Sequence, residues 1–179
     1  MQKCKILVFL QGTIIMHSGA EGKTPSEIIQ QVISQEDSVR DFKNYIPIGQ
    51  APFKLKNWVD EGAEICYLSA LTENKKGRGD EIISKNELVF DGVVLKKYGF
   101  PIGTIYHRGL NENYKDVVEK ISPLPDMLIE DDCESIGGEK EMTYPHINRE
   151  MKNQIHSIVV KEFEGIDHLP NNINELIKF

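Results

Sequence analysis

Short, uninterrupted apolar runs separated by amphipathic helical stretches recur along this 179-residue chain, and that alternation narrows its choice of fold more than any other feature. The runs are "KILVFL" (5–10), "AEICYLS" (63–69), "GTIYHR" (103–108), "DMLIE" (126–130) and "QIHSIVVKEF" (154–163). Most are continuously apolar and do not alternate with a period of two. A strand covered on both faces has that character, which belongs to a parallel sheet with helices on either side.

The stretches between the runs carry helix signals. Thr24 or Ser26 can cap a helix over 23–35, Pro25 suits its first turn, and Ile28, Ile29, Val32 and Ile33 fall on one face. Residues 37–45 continue that helix or start a second short one. A helix over 51–62 turns Phe53, Leu55, Trp58 and Val59 inward and stops at Gly62. The polar stretch 72–81 reads as an exposed loop, and a helical region after it ends at Gly99 and Pro101. A helix over 111–121 has Val117, Val118 and Ile121 as its stripe, and a short one closes the chain over 171–179. The expected fold is a single α/β domain over 1–179: a three-layer Rossmann-like parallel sheet flanked by helices, with no large cap domain.

Charge and composition exclude several classes of partner. The formal net charge is −7, whereas nucleic acid needs a basic footprint. No apolar stretch approaches the length of a membrane span, and the run after Met1 is too short for a secretory leader. Cys4, Cys66 and Cys133 are far apart and form no Cys-x-x-Cys pair. They read as reduced thiols of a cytoplasmic protein, with Cys4 and Cys66 in core-packing positions. The histidines show no zinc spacing. "GAEGKT" (19–24) is like the tail of a phosphate-binding P-loop, but His17 stands where its first glycine belongs and Pro25 removes a backbone donor. It reads as a flexible loop over the sheet's carboxyl edge, where a small lid would sit.

Parallel sheets place ligands off the carboxyl ends of their strands. The residues there are Gln11–Thr13, Ser69–Thr72, His107–Arg108 and Glu130–Glu134. The Gly12-Thr13 turn after the first run, Ser69 after the second, Lys115 on a helix and "LIEDDCESIGG" (128–138) together resemble the haloacid dehalogenase superfamily, over about residues 4–138. In that superfamily the first strand ends in Asp-x-Asp-Gly-Thr. The first Asp attacks phosphorus and the second is acid and base. The resemblance implies that Gly12, Thr13, Ser69 and Lys115 hold a phosphate-type anion, and that Asp131, with Asp132 or Glu134 beside it, holds magnesium.

The chain departs from this pattern where the chemistry is done. Phe9 stands at the nucleophile position and Gln11 at the acid/base position. Phenylalanine has no group to attack phosphorus, and an amide does not titrate. With one carboxylate ligand missing, magnesium is expected to bind no tighter than millimolar. Structural roles stand beside the functional ones: Ser69 as a turn cap, Lys115 as an exposed helix lysine, Arg108 in a surface ion pair, and the acids of 130–134 at a helix start.

Three functions follow as expectations. One is a protein of this fold without phosphatase activity that binds a small phosphorylated or anionic ligand. Another is a divergent metal-dependent phosphohydrolase that holds its metal through Asp131 and Asp132, with Glu134. A third is a non-enzymatic interaction protein whose partner surface lies in the last forty or so residues.

Overall fold

The apolar runs pair side by side, all parallel. A computed structural model describes residues 3–72, 81–82, 88–109 and 111–179. In chain order its elements are β1 (Lys5–Phe9), β2 (Ile15–Met16), α1 (Pro25–Ile33), β3 (Ile46–Pro47), α2 (Ala51–Asp60), β4 (Glu64–Thr72) and β5 (Glu81–Ile82). They continue with α3 (Phe90–Lys97), β6 (Ile105–Arg108), α4 (Tyr114–Glu119), β7 (Met127–Asp131), α5 (Arg149–Lys152), β8 (His156–Val160) and α6 (Ile173–Leu176). Strands β6–β4–β1–β7–β8 lie in that order in a six-stranded sheet, and β5 pairs with the last two residues of β4. The short β2 and β3 form a separate antiparallel pair.

Continuous apolar character in β1 follows from its central place. Its five residues are all buried, and alternate side chains serve opposite faces of the sheet. Ile6 and Val8 join Leu55 and Trp58 of α2 and Val94 and Leu95 of α3. Leu7 and Phe9 join Val117 and Val118 of α4, with Ile121 and Ile155. Helices therefore cover both faces, and the fold is a three-layer, Rossmann-like α/β sheet. No large cap domain is present among the described residues. No helix among them is long and apolar enough to cross a membrane.

The chain builds outward from β1 to β4 and β6, then crosses to β7 and β8 on the other side of β1. The order reverses between β1 and β7. A ligand crevice forms at such a switch point, off the carboxyl ends of the two strands.

Several helix details differ from expectation. Thr24 caps α1 in a reciprocal capping box with Glu27, and Pro25 opens the helix as its sequence suggests. Ile33, however, is 56% exposed, at the last residue of α1. In α2, Phe53 (62% exposed) and Val59 face outward, while Ala51, Lys54, Leu55 and Trp58 form the buried stripe. Lys54 takes a buried position because its ammonium reaches the Leu169 carbonyl and the Asn171 side chain. Residues 37–45 form two 3-10 turns instead of an α-helix. β4 runs on to Thr72, past the expected end at Ser69. Of the loop expected over 72–81, residues 73–80 lie outside the described residues, Thr72 ends β4 and Glu81 opens β5. The glycine-rich stretch near 19–24 is partly ordered: Ser18–Ala20 make a 3-10 turn with Ala20 buried.

The last forty residues are integral to the core. β8 supplies Ile158 and Val160, and the segment beyond it supplies Ile166, Leu169, Ile173 and Leu176. Trp58, fully buried, donates its indole N–H to the Pro170 carbonyl at 3.0 Å.

Candidate functional site

Gly12 makes the sharp turn off β1 that shapes this end of the sheet. Its φ is +86°, and a Cβ there would lie 2.9 Å from Oδ2 of Asp131. Only glycine meets both demands. The turn brings Thr13 under the tip of β7, where its hydroxyl donates to Asp131 Oδ2 at 2.7 Å. The amide of Cys133 donates to Asp131 Oδ1 at 2.9 Å. Burial raises the Asp131 carboxyl above the usual range, and these two hydrogen bonds oppose that rise.

Asp131 has two acidic neighbours. Asp132 pairs with the Lys161 ammonium at 2.7 Å. Glu162, just past the end of β8, accepts from the Ser135 amide at 2.6 Å and the Ser135 hydroxyl at 2.7 Å. Burial, then the nearby Asp131 charge, pushes the Glu162 carboxyl up to about 7. Asp131, Asp132 and Glu162 each offer an oxygen, and these lie within 4.8 Å of one another. Hard carboxylate oxygens at that spacing suit magnesium in type. Glu134, named from sequence as a neighbour of Asp131, is exposed and stands outside this cluster. Glu162 takes the third place because the parallel register sets the end of β8 beside the end of β7.

Gln11 is held at both ends of its amide. Its carbonyl accepts from the Ala70 amide at 2.8 Å, and its NH2 donates to Asp91 Oδ1 at 2.9 Å. Asp91 is buried on α3, and its other oxygen accepts from the Ser69 hydroxyl and lies 3.2 Å from Nε2 of His107. Ser69 also accepts from the Leu71 amide. Its hydroxyl is thus engaged behind Gln11, fully buried.

Phe9 sits at the tip of β1, its ring edge-on to Tyr114 with centroids 5.0 Å apart. The Arg108 guanidinium stacks over the other ring of that pair, 4.1 Å from the Tyr114 centroid. Lys115, next along α4, pairs with Asp116 at 2.8 Å, which raises its pKa.

These side chains surround a cavity of about 370 Å³ over the strand tips. Phe9, Gln11, Gly12, Lys115 and Asp131 line it, and so do Arg108 and Glu162. Ser69, Thr13 and Asp132 do not. The loop after β7 forms one wall, anchored by the buried Glu130, whose carboxylate accepts from the amides of Thr143 (2.6 Å) and Tyr144 (2.8 Å).

No model of a known protein family matches the chain, and no curated protein sequence matches it.

Asp91 and Glu162 were not among the residues singled out by sequence. Glu162 follows the end of β8, so the rule that examines strand ends reaches it once that strand is included. Asp91 has no such signal: it lies in the first turn of a helix, where an acid is ordinary.

Proposed function

We propose that this chain is a haloacid-dehalogenase-like protein without aspartyl-phosphate chemistry, and that its cavity binds a small anion. The order β6–β4–β1–β7–β8, the Gly12-Thr13 turn at the switch point and Asp131 facing it across the turn support the kinship. One observation carries the functional reading: the residue at the tip of β1 that would attack phosphorus is Phe9, a hydrocarbon wall packed against Tyr114. Gln11 in the acid/base position is fixed by Ala70 and Asp91 and carries no proton that it can exchange.

Anion binding is supported by Arg108 and Lys115, the cations that line the cavity beside Phe9. The hydroxyls of Thr13 and Ser69 are engaged with Asp131 and Asp91 and lie outside the lining, whereas the Lys115 ammonium has three N–H donors, one of which goes to Asp116, and Lys140 is a third cation of the lining. Titration calorimetry with inorganic phosphate tests this. Binding is expected in wild type and about tenfold or more weaker in Lys115→Gln, the scale of one charge-assisted hydrogen bond. Absence of any binding to wild type would contradict the reading.

The acidic cluster favours a second reading, a divergent metal-dependent phosphohydrolase. Asp131, Asp132 and Glu162 would hold magnesium, in place of the expected Asp131, Asp132 and Glu134. The bound ion would polarise a phosphoryl oxygen. No group at Phe9 or Gln11 can supply the accompanying proton transfer, which ranks this reading second. A micromolar magnesium site by calorimetry would raise it; the first reading expects millimolar binding or weaker.

A further inference from the structure

The cavity is uneven along its length. Arg108 and Lys115 line one end, beside the rings of Phe9 and Tyr114. Val32, Val39, Tyr45 and Phe163 line another part, and they bring no formal charge. Tyr45, Phe163 and Val32 belong to apolar clusters other than the one that holds Phe9, so the hollow reaches across the strand tips from one packing face to another. His17 stands among them, its ring 6.4 Å from those of Tyr45 and Phe163, and burial lowers its pKa. Between the two parts, Asp131 and Glu162 already accept hydrogen bonds from Thr13, Cys133 and Ser135.

A volume of about 370 Å³ lies in the range of sites for organic ligands and far exceeds what a bare phosphate fills. A carboxylate at position 9 would put a negative charge in the wall beside Arg108 and Lys115, where it would compete with a bound anion. Phe9 gives the cationic end a hydrocarbon face instead.

We propose that the ligand is an anion carrying an aromatic or branched aliphatic body, its head at Arg108 and Lys115 and its body laid over the strand tips against Val32, Tyr45 and Phe163. This rests on the anion-binding reading above and adds the chemistry of the rest of the molecule. An apolar body in contact with these side chains leaves water on binding, which strengthens the anion's hold without any new charge.

Calorimetry with three probes tests it: inorganic phosphate, naphthyl phosphate and uncharged naphthalenemethanol. Naphthyl phosphate is expected to bind on the order of tenfold or more tighter than inorganic phosphate. Val32→Asn, a change at a half-buried helix position, should shrink that ratio and leave inorganic phosphate unaffected. Lys115→Gln should weaken both anions alike. Equal affinity for the two phosphates would overturn the apolar-body inference and leave the anion reading standing, as would a ratio that Val32→Asn does not change. Naphthalenemethanol binding as tightly as naphthyl phosphate would overturn the anion reading itself, and silence from every probe would overturn both.

Discussion

Gln11 and Glu162 show how single side chains set the chemistry of the strand tips. Gln11 couples β1 to the Ala70 amide and to Asp91, so an amide does there the structural work for which a carboxylate would be unsuited. A carboxylate at 11 would face the Asp91 carboxylate, and like charges at hydrogen-bond distance repel. Glu162 is a buried acid beside another buried acid. Its folded-state carboxyl lies at about 7, against 4.5 for the free side chain. A raised acid favours the folded state at low pH; that advantage is full below pH 4.5 and is lost as pH rises through 7. Glu162→Gln is therefore expected to flatten the decline in stability across that window, read from urea midpoints between pH 4 and pH 8, roughly the span over which the group titrates. A slope unchanged by the substitution would show that Glu162 is not the group responsible. Phe9 and Gln11 can be read as departures from the proposed catalytic turn because Gly12 and Thr13 beside them match its Gly-Thr. Ser69 accepts from the Leu71 amide, which fits its reading as a turn cap, and its hydroxyl also turns to Asp91, a partner distant in sequence.

At the scale of elements, the five longer strands of the main sheet were found near their places because burial on both faces leaves a continuous apolar run, a signal that survives without any alignment; the two-residue strands β2, β3 and β5 were missed. Helix faces were read less well. Phe53 and Val59 fit a helical stripe as well as Lys54 and Trp58 do, and only the position of the segment after β8 decides which side of α2 is covered. The two 3-10 turns of 37–45 escaped a reading based on a 3.6-residue period. Helix α3 has a polar tie to the sheet. Asp91 fastens it to the tips of β1, β4 and β6 through Gln11, Ser69 and His107. Asp91→Ala leaves the buried Ser69 hydroxyl and the Gln11 NH2 without that acceptor. It should cost about 2–4 kcal/mol of unfolding free energy by chemical denaturation. A loss under about 0.5 kcal/mol, the level of an ordinary surface change, would contradict the proposed tie.

For the molecule as a whole, the sheet order places Gly12, Asp131 and Glu162 at one switch point, and the C-terminal segment completes the core behind it. Ile166, Leu169, Ile173 and Leu176 are all buried. At about 2 kcal/mol each they contribute roughly 8 kcal/mol, comparable with the entire stability of a typical domain. A chain cut after Gly165 is expected to lose its cooperative urea transition and to shift Trp58 emission to the red as the indole meets water. A sharp transition and a blue emission in the shortened chain would show the segment to be dispensable. The central claim is that a catalytic turn persists here without its catalytic groups. Initial rates on a generic phosphomonoester with magnesium, for wild type and Asp131→Asn, test it most directly. Both should stay at the uncatalysed background; turnover by wild type that Asp131→Asn abolishes would contradict the account.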